Sequence, residues 1–331
     1  MEKILLGHGS GGKLMHQLIR EYFSPAFGIE GAGDSAIVNV PSNRLAYTTD
    51  SYVVTPLFFP GGNIGDLAVC GTVNDLSVAG AEPLFLTAGF IIEEGFPLSD
   101  LKKIIASMAA AARLAGVRIV AGDTKVVNKG KADGVFINTS GLGVLPAGVE
   151  ISPSRIKTGD RVIISGEIGN HGVAIIAERN GLTFDPPVQT DSRPLNDLTR
   201  AMLGAAKDIH FMRDPTRGGL ATTLKEAALE SGLCIRIQEK TLPIPPPVKG
   251  ACGLLGLDPL YAANEGILIA ILASADTDAV LSAMKKHPYG QRAVIIGDVQ
   301  AAPSGAVLLE TAIGGSRIVD MLPGEQLPRI C

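Results

Sequence analysis

Apolar and polar positions follow two periods along this chain, and the switches between them mark out its elements. Leu101, Ile104, Ile105, Met108, Ala112 and Ala115 recur at helical spacing, which predicts a helix over Leu98–Ala115 with Ser99 as its N-cap and Gly116 as its stop. Val/Ile/Phe-rich runs bounded by Gly, Pro or Asp predict strands at Arg44–Thr49, Leu84–Ile92 and Val117–Ala121, with a further helix over Gly65–Ala79. The alternation resumes with strands at Arg161–Ser165, Cys234–Gln238, Gly266–Ala273 and Arg292–Val299, and helices at His171–Asn180, Leu195–Lys207 and Leu220–Ser231. Between the halves, Pro146–Gly159 is rich in Pro, Ser and Gly and reads as a linker, which places a domain boundary near residue 150. The pattern implies an α/β (α+β) chain with a domain over 1–150 and a second over 151–320. The last segment, 321–331, holds Pro323, Gly324 and Pro328 without periodicity and is expected to be a mobile, extended tail.

Composition narrows the classes. With 331 residues, 46% of them hydrophobic and 19% charged, two cores are the default. The 29 basic and 33 acidic residues give a net charge of −4, without a Lys/Arg run or aromatic-basic interleaving, so nucleic acid is not an expected partner. Apolar stretches are shorter than a bilayer span and the N-terminus lacks a signal-peptide pattern, so a soluble cytoplasmic protein is expected. Cys70, Cys234, Cys252 and Cys331 have neither CxxC nor zinc-site spacing. Cys70 and Cys234 sit in apolar periodic segments as small core residues, and only Cys331 stands apart.

Gly7-His8-Gly9-Ser10-Gly11-Gly12-Lys13 approaches a P-loop but continues into Leu14 where Ser or Thr would bind magnesium, and only six residues precede it. A Walker A site is therefore rejected. The loop fits either an anion site, with backbone amides and Lys13 meeting phosphate, or a flexible arm. Acidic residues recur in polar phrases expected at element ends: Asp34, Asp50, Asp75, Asp123 and Asp214. Each alone fits a turn aspartate, whereas five together favour Mg²⁺ shared with nucleotide phosphates. Glu265, ahead of an apolar strand, fits a base, a metal ligand or a turn carboxylate; Lys125 fits a phosphate-neutralising or amide-orienting group or a surface lysine. The five histidines have no metal spacing. Leu327-Pro328-Arg329-Ile330-Cys331 presents a thiol on eleven tail residues with a reach of roughly 35 Å. Arg329 would favour the thiolate and the terminal carboxylate would oppose it.

Together Gly7–Lys13, Thr48–Pro56, Phe58–Gly65, Gly71–Leu76, Gly122–Val127, Asp214–Gly219, Ala263–Gly266 and the terminal Pro328–Cys331 resemble the HypE family of hydrogenase maturation proteins, within the PurM-like (aminoimidazole ribonucleotide synthetase) superfamily. The resemblance covers essentially the whole chain. It implies a PurM-like fold with an N-terminal ATP-binding domain that dimerises through its sheet and a C-terminal α/β domain. HypF would place a carbamoyl group on Cys331, ATP-dependent dehydration would convert it to S-cyanocysteine, and the cyanide would pass to iron on a HypC–HypD complex for nickel–iron hydrogenase. Asp34, Asp50, Asp75 and Asp214 become candidate Mg²⁺ or phosphate ligands, with Gly11, Gly12, Lys13, Asp50, Asn74 and Asp123 around the nucleotide. Lys125 and Glu265 become candidates for handling the carboxamide, Glu265 as base, and Cys331 the covalent carrier. Selenophosphate synthesis is the nearest enzymatic rival, but it usually uses a reactive residue near the glycine loop, and the first cysteine here is Cys70. Thiamine-phosphate kinase needs no terminal thiol. An ATP-binding scaffold with a docking tail is the non-enzymatic alternative.

Overall fold

The computed structural model describes residues 3–9, 13–28, 38–206, 208–322 and 329–331, with the Lys13 side chain left out. The predicted sites at Gly11, Gly12 and Asp34, and the side chain of Lys13, lie outside the described residues.

After the short helices α1 (Lys13–Leu18) and α2 (Ser24–Phe27), the first half builds strand β1 (Leu45–Tyr52), a two-residue pair β2 (Phe58–Phe59) and β3 (Gly62–Asn63), and helix α3 (Ile64–Val78). Strand β4 (Glu82–Glu93), helix α4 (Leu98–Ala115) and strands β5 (Arg118–Val127) and β6 (Val135–Val144) complete it. The sheet order is β1-β6-β4-β5, antiparallel except for the parallel β4–β5 pair that α4 connects. Helix α3 starts at a capping box in which the Asn63 side chain accepts from the Gly65 amide at 2.8 Å and the Asn63 amide donates to Asp66 at 2.7 Å. It is apolar nearly all round and buried on most sides, including Leu67, Ala68, Val69 and Val73, because it packs against the first sheet and α4 and also meets the second half of the chain.

The second half runs β7 (Arg161–Ile164), α5 (Asn170–Arg179), α6 (Asn196–Ala205), β8 (Ile209–Arg213), α7 (Gly219–Ser231), β9 (Cys234–Gln238) and α8 (Pro246–Leu255). It ends with β10 (Ile269–Leu272), α9 (Thr277–Lys286), β11 (Val294–Gln300), β12 (Val307–Glu310) and β13 (Ser316–Val319). Its sheet has the order β13-β12-β9-β11-β7-β10-β8, with β12–β9 the parallel pair. Strand β10, and β7 beyond Arg161, are apolar and fully buried because both faces are covered there. Val162 and Ile164 enter the core with Leu220 and Leu224 of α7, whereas Ile163 enters the core with Leu198 of α6 and Val280 of α9.

Three local expectations are corrected. The carbonyl of Pro97 accepts from Asp100 and Leu101, which makes Pro97 rather than Ser99 the N-cap of α4. Strand β5 does not end at Ala121, because its parallel register with β4 continues to Glu93–Val127. Thus Asp123 sits inside β5 and Asp50 inside β1 and not after a strand, whereas Asp75 lies in the last turn of α3 and Asp214 directly follows β8, at element ends as expected. Polar residues on the outward positions of a half-covered strand resemble a turn in sequence. Among the described residues, no helix is long and apolar enough to cross a membrane.

Candidate active site

The end of the tail folds back onto the protein. Ile330 is 3% exposed and packs in the first-half core, whose members include Tyr52, Val54, Ile175 and Ala263, and Cys331 is half-buried against the same cluster. Backbone pairing carries the chain in: the Val53 amide donates to the Cys331 carbonyl at 3.1 Å and the Thr55 amide to that of Arg329 at 3.4 Å. The Arg329 guanidinium donates to the Val53 carbonyl and forms an ion pair with Asp133, so its charge is committed on this side of the tail. From α5, Arg179 donates to the carbonyls of Thr55 and Arg329, and His171 bonds to the Ile330 carbonyl at 2.8 Å. The expected exposed thiol is therefore corrected: one buried isoleucine and a short backbone ladder hold the last three residues in a cleft lined by both halves.

Joined to this cleft through Tyr52 and through Ala263, two residues before Glu265, is a group of buried carboxylates. Glu265 is 1% exposed and Asp214 is 6% exposed, and one carboxylate oxygen of each, Glu265 Oε1 and Asp214 Oδ2, is buried without a hydrogen-bond partner. Burial, then the charges of Asp214, Asp191, Asp50 and Asp75, push Glu265 well above the usual carboxylate range. Burial and Asp75 push Asp214 up to about 7. Asp75 is also raised by burial, an effect opposed by a 3.0 Å bond from the Thr48 hydroxyl and by Arg213 and Arg217. Tyr52, next to the Val53 amide that holds Cys331, is within the field of Asp50, Glu265 and Asp75, which ties the tail to the acidic cluster.

The backbone around Glu265 is fixed. Asp191 accepts from the amides of Glu265 and Gly266, each at 3.1 Å. A side chain on Gly266 would run into the Asp191 carbonyl oxygen at 1.7 Å, so only glycine permits this turn. Asn74, expected near the nucleotide, uses its amide as a brace, accepting from Leu195 and donating to the carbonyls of Arg193 and Glu265.

Other predicted residues lie elsewhere. Lys125 and Asp123 form an ion pair, with Nζ at 2.8 and 2.7 Å from the two carboxylate oxygens, and this pair holds Asp123 below its usual range. In the register Asp123 opposes Gly89, Lys125 opposes Ile91 and the buried Thr124 opposes Phe90, which puts Asp123 and Lys125 on the open face of the first sheet. Asp50, alongside Thr48 and Tyr52, is on the face that packs against α3. The structure thus gathers Asp50, Asp75, Asp214 and Glu265 and sets Asp123 and Lys125 apart. The visible part of the glycine loop packs on β5, where a side chain at Gly9 would meet the Val126 nitrogen at 2.3 Å. Among the described residues no three His, Cys, Asp or Glu side chains form a ready metal cage. The unpartnered oxygens nevertheless suit a hard cation that completes its shell with phosphate and water, as Mg²⁺ does. Sequence reasoning missed Asp191, His171 and Arg179; the polar run Thr190-Asp191-Ser192-Arg193 was the available signal for the first.

The models for the AIR synthase related protein N-terminal and C-terminal domains match residues 32–145 and 157–310. The chain is 53% identical over 327 residues to the carbamoyl dehydratase HypE of Azotobacter vinelandii, covering 98% of this chain and 96% of that protein. The chain belongs to the HypE family. A crystal structure of the hydrogenase maturation protein HypE in complex with ATP is 46% identical and superposes with a TM-score of 0.95, covering 99% of both chains. HypE in a HypE–HypF complex is 48% identical, with a TM-score of 0.82 over 94% of this chain and 100% of that one. The PurM-like α/β fold expected from sequence is thereby established.

Proposed function

We propose that the chain catalyses ATP-dependent dehydration of an S-carbamoyl group on its own Cys331 to S-cyanocysteine, as the HypE step of nickel–iron hydrogenase maturation. The docked tail carries this reading: Ile330 is buried and Cys331 packs against a cluster that contains Ala263, two residues before Glu265, and Tyr52, which lies within the field of Glu265. The related structure with ATP and the relatives named carbamoyl dehydratase support the reaction class.

In the balanced reaction, the carboxamide oxygen leaves with phosphate, two protons leave the nitrogen, and the S–C bond is retained. Bound Mg²⁺–ATP supplies the phosphoryl group that turns this oxygen into a leaving group. Asp50, Asp75 and Asp214 would hold the cation through their oxygens, with Asp34 as a fourth candidate. The glycine loop, Gly11, Gly12 and Lys13, would meet phosphate. Val53, Thr55, Arg179 and Arg329 orient the tail, and burial of Ile330 excludes water from its seat. Glu265, raised first by burial and then by its neighbours and with an unpartnered oxygen, accepts a proton from the carboxamide nitrogen in its ionised form, and the raised pKa makes that form the stronger base.

HypF is the carbamoyl donor on this reading, by analogy with the related HypE–HypF complex, and HypC–HypD the cyanide acceptor. A homodimer forms through the open face of the first sheet, on which Tyr47 is 73% exposed and Leu45 and Ile91 are also exposed. Asp123 and Lys125 are on that face, so they reach a catalytic site through assembly. The domains are 1–150 and 151–320, with 321–331 as the shuttling segment, and the protein acts in the cytoplasm.

The test is mass spectrometry of the C-terminal peptide after incubation with HypF, carbamoyl phosphate and ATP. The expected record is gain of one carboxamide, then ATP-dependent loss of one water. An unmodified Cys331 while the pathway runs would refute the proposal.

A further inference from the structure

Near the docked tail, one histidine has both ring nitrogens engaged. His171, fully buried in the first turns of α5, has Nδ1 2.7 Å from the Thr190 hydroxyl and Nε2 2.8 Å from the Ile330 carbonyl. A carbonyl only accepts, so Nε2 carries the hydrogen. The Ser192 amide donates to Thr190 Oγ1 at 3.1 Å, leaving the Thr190 hydroxyl hydrogen directed at Nδ1 of the neutral ring. Donors therefore run in one direction: Ser192 N–H to Thr190 oxygen, Thr190 O–H to Nδ1, and Nε2–H to the Ile330 carbonyl. The Thr190 amide donates to the Pro60 carbonyl at 2.8 Å, and the ring of Phe59 meets the imidazole edge-on at 5.6 Å. Burial also pushes the His171 pKa below its usual value, which suits the neutral tautomer.

We propose that His171, with its tautomer set by Thr190, is a positioning residue that latches the tail by its Ile330 carbonyl and so seats the Cys331 sulfur for dehydration. The contact is to backbone next to the reacting residue, so it is independent of what the sulfur carries and serves the thiol, the carboxamide and the cyano form alike. Its grip is one hydrogen bond in a buried site, strong enough to bias docking and weak enough to release the tail to a partner. The catalytic part of this inference rests on the proposed reaction at Cys331; the docking part does not.

The test compares full-length wild type, His171→Phe, His171→Gln and Thr190→Val. Alkylation of Cys331 by iodoacetamide in the presence of ATP, followed by mass spectrometry, reads docking without any carbamoyl chemistry. Dehydration of HypF-carbamoylated protein reads catalysis, and the HypF step itself serves as a control. For His171→Phe we expect alkylation faster by roughly tenfold, dehydration slower by a similar factor, and carbamoylation not slowed. His171→Gln, which can place an amide N–H near Nε2, should recover much of the wild-type behaviour, and Thr190→Val should fall between. Unchanged alkylation and dehydration in His171→Phe would overturn the latch, as would a folded His171→Gln no better than His171→Phe. If His171→Phe does not fold, Thr190→Val against wild type decides by the same two rates. Wild type that never gains a carboxamide would sink the reaction but leave the alkylation comparison to judge the latch.

Discussion

Two sets of acidic residues from the same sequence pattern end in opposite conditions. Asp75, Asp214 and Glu265 are largely buried, repel one another and are all raised, and Asp214 and Glu265 each keep an oxygen without a partner. Asp123 is 61% exposed by side chain, fully engaged by Lys125 and lowered. The first set stores unfavourable electrostatics that a bound cation and nucleotide can relieve; the second is already satisfied. A carboxylate announces a binding role by unmet demand more than by its place in a motif.

Glu265→Gln should leave carbamoylation of Cys331 intact and slow loss of water by about 10²–10⁴, read on the C-terminal peptide by mass spectrometry. Retained dehydration would remove Glu265 as the base. Asp214→Asn should weaken Mg²⁺–ATP binding by at least about tenfold by calorimetry, while raising the nucleotide-free Tm above pH 7. The sign follows from its pKa of about 7: the folded carboxyl holds its proton where the unfolded one has lost it, so wild-type stability falls as pH rises from about 4 to 7.

Asp66, pushed to about 6 chiefly by burial, should show a smaller version of this trend. Asp66→Asn keeps an acceptor for the Asn63 amide, and its stability relative to wild type in urea melts should improve between pH 4 and 6, by up to about 3 kcal/mol, then level off. A flat difference across that range would place the Asp66 proton elsewhere. Asp123→Asn, at the exposed end of the comparison, should change stability by no more than about 0.5 kcal/mol. A larger loss would show that the open face is already load-sharing in the assembled protein.

The long elements were legible because their periodicity is carried by many residues at once. The helix over Leu98–Ala115 and the strand Cys234–Gln238 lie where the pattern places them, and Cys70 and Cys234 are buried as expected. Asp123 misled because outward positions of a half-covered strand are as polar as a turn. Helix α8, with Pro246 at its start and Gly250 and Gly253 within it, has little intrinsic helical signal, and tertiary packing of Val248, Ala251 and Cys252 maintains it. The seat of the tail was unreadable for another reason. It is built by Val53, Thr55, His171 and Arg179, whose partnership with Arg329, Ile330 and Cys331 spans most of the chain and leaves no local trace. A lone histidine in a helix gave no hint that its edge would meet the Ile330 carbonyl.

Attachment of the reacting residue to its own receptacle changes the kinetics of the proposed cycle. A substrate carried on the enzyme's own chain has no Michaelis constant for entry; it has an effective concentration, set by the tether and by the few bonds that seat Ile330. Dilution of the protein leaves that step unchanged, whereas carbamoyl loading, an encounter between two proteins, slows in proportion. At low abundance the supply of loaded thiol, and not its conversion, governs the flux.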